Sequence, residues 1–126
     1  MYDIIIIGGG AAGMSAAVYA GRSGLKTLVI ESVSAGGQMN LTYEVDNYPG
    51  ISDEPAGSDL SFAMKKHAEK SGAGFTTETV KEIENADGAV KTVVTRKNRY
   101  RSEPEENRSR GRGPVLRNGR FLLCNL

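Results

Sequence analysis

The sequence predicts an α/β domain with a parallel βαβ core, an added β-hairpin and an irregular C-terminal tail. Three observations carry that expectation. A run of four isoleucines at residues 4–7 stops at a glycine turn, and an alanine-rich stretch behind the turn leads to a second apolar run at residues 25–30. Further along, two strand-like segments flank Asn85-Ala86-Asp87-Gly88.

Four consecutive isoleucines suit a strand buried on both faces, the central position of a parallel sheet. Gly8-Gly9-Gly10-Ala11-Ala12-Gly13 makes the turn. Residues 11–23 are rich in alanine and predict a helix, closed by Gly24 as its C-terminal cap. Residues 25–30 return as a second buried strand ending on Glu31, which completes a βαβ unit of about 30 residues. Residues 32–57 read as a long connection with turns at Gly36-Gly37 and Pro49-Gly50. Ser58 or Asp59 is expected to cap a helix running to about residue 71, with Leu60, Ala63, Met64, His67 and Ala68 at helical spacing. Residues 75–83 and 89–95 are strand-like and joined by the hairpin turn at 85–88. Residues 101–120 show neither a helical nor a strand period, and only Phe121-Leu122-Leu123 is compactly apolar there.

A chain of 126 residues suits one domain. Its 39% hydrophobic and 25% charged residues are globular in balance, with 16 glycines well above the usual share. No run approaches the roughly 18 to 20 apolar residues of a membrane helix. The opening residues lack the basic segment of a signal peptide. Cys124, the single cysteine, cannot form an internal disulfide or a CxxC pair, so a reducing cytoplasm is the expected compartment.

The net charge of +1 hides an asymmetry: residues 1–95 carry 7 basic and 12 acidic residues, a net of −5. Residues 96–126 carry 9 basic and 3 acidic residues, a net of +6. Arg108-Ser109-Arg110-Gly111-Arg112-Gly113 could meet nucleic-acid phosphates. It has no interleaved aromatic before Phe121, and a solvated arginine run is the expectation.

Gly8-x-Gly10-x-x-Gly13 gains meaning from its setting between a strand and a helix, with an acid closing the next strand. Gly8 permits the tight turn, Gly10 lets a pyrophosphate approach the backbone, and Gly13 lets the helix pack close to the strand. Ala11 and Ala12 open the helix, whose free N–H groups and positive dipole end attract an anion. Glu31 stands where a carboxylate accepts hydrogen bonds from adenosine ribose hydroxyls, and an acid there disfavours a 2′-phosphate. The expected domain is a partial Rossmann-like fold holding the ADP half of a dinucleotide.

Ala17 and Gly24 extend the pattern as in the FAD-binding fingerprint of flavoproteins with two dinucleotide-binding domains. Gly36-Gly37-Gln38, Glu44-Val45-Asp46-Asn47-Tyr48-Pro49-Gly50 and Met64-Lys65-Lys66-His67-Ala68 follow in order. Together these resemble bacterial thioredoxin reductases over about residues 1–100. The resemblance implies FAD as cofactor, with Gly36, Gly37 and Gln38 passing along it and Asn47 near the isoalloxazine. It also implies that the backbone at Val80 and Lys81 meets the adenine. His67 is expected to pack its helix rather than do chemistry, and Met14 and Tyr19 are expected in the core. No catalytic or metal-ligating residue is expected in this chain.

Complete members of that family pass electrons from NADPH to FAD to a Cys-Ala-Thr-Cys disulfide and on to thioredoxin, and are usually homodimers. Such exchange needs a second thiolate to resolve a mixed disulfide. This chain shows one cysteine, no second glycine fingerprint for NADPH, and no apolar Ala-Thr-Gly strand after Tyr100. The flavoprotein of alkyl hydroperoxide reduction, ferredoxin reductases of similar architecture and a non-catalytic FAD-binding or subunit-interaction module are the alternatives. The sequence therefore predicts an inactive N-terminal part of an FAD-binding domain over residues 1–100 and a basic, disordered tail over 101–126. FAD should bind weakly: a micromolar site needs about 8 kcal/mol, whereas contacts at a helix terminus supply roughly 0.3 to 2 kcal/mol each. A sheet lacking a strand would also leave an apolar edge open.

The tail itself suggests a frameshift near Pro114. With suitable codons, residues 115–119 read one base later give Tyr-Cys-Ala-Thr, and Gly111-Arg112-Gly113 resembles the triplet that often precedes the redox motif. A deletion after Tyr100 would account for the missing strand.

Overall fold

The computed structural model describes residues 1–51 and 53–103 in full and residues 120–123 as backbone. The tail's basic tract, Cys124 and the expected frameshift point lie outside the described residues.

β1 (Ile4–Ile7) is buried as its composition demands, with Ile5 0% and Ile6 1% exposed. Burying such a side chain stabilises the fold by about 1.5–3 kcal/mol relative to leaving it in water. The helix α1 (Ala11–Arg22) follows, and β2 (Thr27–Glu31) pairs parallel to β1, with Ile4 opposite Thr27 and Ile7 opposite Ile30. Gly24 (φ 78°) ends α1 as expected, its N–H donating to the Gly21 carbonyl at 2.9 Å. The connection after β2 holds a short 3-10 turn (Gly37–Leu41) before α2 (Gly57–Lys70).

Three expectations need correction in this stretch. Neither Ser58 nor Asp59 caps α2: the cap is Ala56, whose carbonyl accepts from Leu60 at 3.1 Å, with no side-chain cap. Within α2 the buried face is Gly57, Leu60, Ser61 and Ala68, while Ala63 and His67 are exposed. Tyr19 is 73% exposed rather than core, whereas Met14 is fully buried. Tyr19 and His67 instead line a groove of ≈ 250 Å³ together with Arg22, Tyr48, Met64 and the buried Met14.

The expected strand over 75–83 is two strands in two sheets. β3 (Gly74–Thr77) joins the parallel sheet beside β2. β4 (Val80–Glu84) opens an antiparallel sheet with β5 (Lys91–Thr95) and β6 (Arg99–Ser102), in the order β4-β5-β6. The physical reason for the break is Glu78. Its N–H donates to the Glu31 carbonyl at 2.8 Å as the last rung of the parallel ladder, while its carboxylate accepts from Thr95, Asn98 and Tyr100 and so ties the next residues to the other sheet. The hairpin turn stands as expected: Asn85 is left-handed (φ 56°), and the Gly88 N–H donates to its carbonyl at 2.9 Å.

β6 carries the hairpin sheet two residues past Tyr100, because backbone ladder bonds to β5 need no apolar periodicity. β7 (Arg120–Leu123) lies parallel to β1 on the side away from β2, with Ile4 opposite Arg120 and Ile7 opposite Leu123. The parallel sheet is thus β3-β2-β1-β7, and the edge of β1 that the sequence seemed to leave open is paired. Helices cover one face, where Ile6, Ala17, Val29, Ala68 and Ala73 cluster. The hairpin sheet covers the other, with Val93 packed on Ile5, Leu28 and Ile30. Both faces of the central strands β1 and β2 are buried, as parallel strands require.

Candidate functional site

The C-terminal ends of β1 and β2 meet at the glycine turn. Gly8 takes φ 104°, which a side chain would strain. A Cβ added at Gly13 would lie deep inside van der Waals contact with the Gly8 carbonyl oxygen, so α1 can sit this close to β1 only with glycine there. At Gly10 the reverse holds: a Cβ would meet no atom of the described residues within 4 Å beyond its own chain neighbours. The space in front of Gly10 is open, as the approach of a pyrophosphate requires. Gly10 is also the N-cap of α1, with no side-chain cap and no acid in the first turn. The N–H groups of Ala11, Ala12 and Gly13 therefore open a helix end that no side chain of the described residues claims, the arrangement that receives an anion.

Glu31 closes β2 beside this turn. One carboxylate oxygen accepts the Gly9 N–H at 2.7 Å, and the other accepts the Ser32 N–H at 2.5 Å and the Ser32 hydroxyl at 3.0 Å. These bonds orient the carboxylate, and the oxygen that accepts from Gly9 retains a lone pair for a ribose hydroxyl. Gly9 and Ser32 were not singled out from sequence. The middle glycine of the triplet and the hydroxyl next to the acid were the available signals.

The Gly36-Gly37 loop reaches back onto the same turn. The Gly36 N–H donates to the Gly9 carbonyl at 2.6 Å, and a Cβ on Gly37 would sit 3.6 Å from the Gly10 Cα. Asn40 fixes the loop from below, its amide donating to the Ala35 carbonyl at 2.8 Å. Gln38 is exposed one residue beyond. So the structure brings together Gly8, Gly10, Ala11, Ala12, Gly13, Glu31, Gly36 and Gly37, with Gln38 at the rim. Asn47 is exposed on a separate loop and makes no side-chain hydrogen bond among the described residues. Val80 is half-buried and Lys81 exposed at the start of β4, three residues past β3.

Glu78 is the strongest polar hub of this edge. Its carboxylate accepts from Thr95, from Tyr100 at 2.6 Å, from Asn98 at 2.8 Å and from Thr76 at 3.3 Å. Those donors, Thr95 and Tyr100 first, hold its pKa well below the usual 4.5, at about 2. A depressed carboxylate stabilises the fold above its unfolded pKa and loses that contribution as pH falls through the folded value. We therefore expect the β5–β6 turn to stay docked down to pH 4.5 and loosen as the pH approaches 2. The NMR shifts of Thr95 and Tyr100 should titrate with a midpoint near 2; a midpoint near 4.5 would contradict the network.

Fold and site together define a dinucleotide-binding α/β domain of the two-sheet kind, with a parallel sheet behind a glycine turn and a hairpin sheet on its other face. Residues 2–109 match the family described as pyridine nucleotide-disulphide oxidoreductase, and the chain belongs to that family. It is 49% identical over 94 residues to a thioredoxin reductase of Bacillus subtilis, covering 75% of this chain and 29% of that protein. It is 46% identical over 103 residues to one of Listeria monocytogenes, covering 81% of this chain and 31% of that protein. Among solved structures, Lactococcus lactis thioredoxin reductase superposes with a TM-score of 0.76 at 40% identity, over 82% of this chain and 33% of that one. The chain spans about a third of the length of these relatives and corresponds to their N-terminal part. Thioredoxin reductases use FAD, with NADPH as the second cofactor. The open approach at Gly10, the unclaimed α1 terminus and the oriented Glu31 carboxylate fit the ADP half of FAD.

Proposed function

We propose that this chain holds the ADP half of FAD as the N-terminal portion of a thioredoxin-reductase-type oxidoreductase. The observation that carries this is the convergence of an open Gly10, an uncapped α1 and a ribose-height carboxylate on one sheet edge. Bound FAD would supply two-electron transfer between a nicotinamide and a disulfide. The chain's own residues bind and orient: Ala11, Ala12 and Gly13 donate N–H groups to the pyrophosphate, and Glu31 accepts from the ribose hydroxyls. Gly36 and Gly37, with Gln38 and Asn47, flank the path toward the flavin, and Val80 and Lys81 flank the adenine. In the complete protein the electrons would run from NADPH through FAD to a disulfide of thioredoxin, in the cytoplasm, from a homodimer. Residues 1–100 act as the N-terminal part of the FAD domain in this reading, and 101–126, apart from the strand residues 101–102 and 120–123, as a basic tail altered by a frameshift. Sequencing the encoding DNA across codons 100–126 in all frames tests that last point directly.

The chain alone lacks the redox cysteine pair and the nicotinamide fingerprint, so binding without turnover is the expected behaviour. Calorimetric titration should detect FAD and ADP weakly, at dissociation constants above about a micromolar, and FMN not at all. FMN binding as well as FAD would contradict an ADP-directed site; binding of neither FAD nor ADP would overturn it.

A further inference from the structure

Glu78 joins the two halves of the nucleotide edge. Through its backbone it grips β2, donating its N–H to the carbonyl of Glu31, the residue whose carboxylate faces the glycine turn. Through its side chain it grips the hairpin sheet, accepting from Thr95, Asn98 and Tyr100, and steadies itself on Thr76 of β3. Tyr100 is held in turn by an edge-on contact with Tyr2, whose ring centroid lies 6.3 Å away. Nucleotides lie beyond the carboxyl ends of parallel strands. With phosphates at the β1–α1 turn and ribose at the end of β2, the base must extend toward the end of β3. That is where Glu78 sits, one residue past Thr77, with β4 starting two residues later.

We infer that Glu78 is a positioning residue for the adenosine end of the bound dinucleotide: it fixes the start of β4 against the strand end that carries Glu31. The inference rests on the nucleotide site proposed above. Four donors converge on two oxygens, so the carboxylate's acceptor-only chemistry suits the place. Glu78 need not touch the ligand. It sets the spacing between the ribose carboxylate and the wall against which the base lies. The pyrophosphate end, held by α1 and the glycine turn, makes no such contact with Glu78.

The test separates the two ends of the ligand. Two-dimensional NMR titrations of the full chain with ADP and with inorganic pyrophosphate would compare wild type, Glu78→Ala and Glu78→Gln. Glu78→Ala should weaken ADP about tenfold, the loss expected for one or two charge-assisted hydrogen bonds, and leave pyrophosphate unchanged at the Gly10 and Gly13 amides. Glu78→Gln keeps an oxygen for Asn98, Tyr100 and Thr76 and should recover ADP affinity to within about threefold of wild type. Equal ADP affinity in wild type and Glu78→Ala would overturn the inference. A parallel loss of ADP and pyrophosphate would also overturn it, by showing a general structural effect. ADP binding by none of the three proteins would overturn the nucleotide site and this inference with it.

Discussion

Gly13→Ala is expected to lower the melting temperature by roughly 10 to 20 °C, the consequence of about 3 kcal/mol lost from a domain near this size. The added Cβ would be driven into the Gly8 carbonyl oxygen, which is backbone and cannot rotate away. Relief requires α1 to lift from β1. The lift would loosen the contacts of Ala17 with Ile6 and Val29, all three of them buried. It would also displace the Ala11 and Ala12 N–H groups from the phosphate position, so weak ADP binding should be lost with the stability. A thermal scan by circular dichroism gives the shift; a change under about 2 °C would mean that α1 does not pack on β1 as described.

Gly10→Ala should do the opposite. Gly10 has φ −73° and ψ −175°, a conformation open to alanine, and its added Cβ would meet no atom of the described residues within 4 Å beyond its chain neighbours. The cost to folding is that of exchanging a favoured N-cap glycine for a poor N-cap, about 1 kcal/mol. The methyl group would occupy the space through which a pyrophosphate reaches the backbone. ADP affinity should therefore fall by about tenfold or more, a steric loss of at least 1.4 kcal/mol, while the melting temperature moves by only a few degrees. Calorimetry and thermal scans on the same samples check both halves. A variant with intact ADP binding would show that the ligand does not pass Gly10. Together the two variants separate the structural glycine from the binding glycine within one short motif.

Much of this was legible in the residues. The isoleucine run, the glycine turn, the alanine-rich helix and the acid ending β2 are local signals, and each names its own element. Glu31 and Gly13 could be assigned roles because their chemistry is decided within thirty residues of chain. What escaped the sequence depends on contacts between distant segments. Residues 75–83 read as one strand, and only the bonds of the Glu78 carboxylate to Thr95, Asn98 and Tyr100, after its N–H completes the ladder to Glu31, divide them between two sheets. At the start of α2 the Gly57 N–H donates to the Thr42 carbonyl at 3.0 Å and the cap falls on Ala56, a contact between distant segments that places Ser58 and Asp59 inside the helix. Tyr19 and His67 have the spacing of core residues but face the open groove. β7 is four residues long, and its place beside β1 is set by a ladder that no local pattern announces.

The account stands or falls on where the ADP half lies. A crystal structure of the full chain grown with ADP at saturating concentration would locate it directly. The account predicts pyrophosphate oxygens within hydrogen-bonding distance of the Ala11, Ala12 and Gly13 N–H groups, and ribose hydroxyls on the Glu31 carboxylate. ADP bound elsewhere, for instance in the groove lined by Tyr19, Tyr48 and His67, would contradict it.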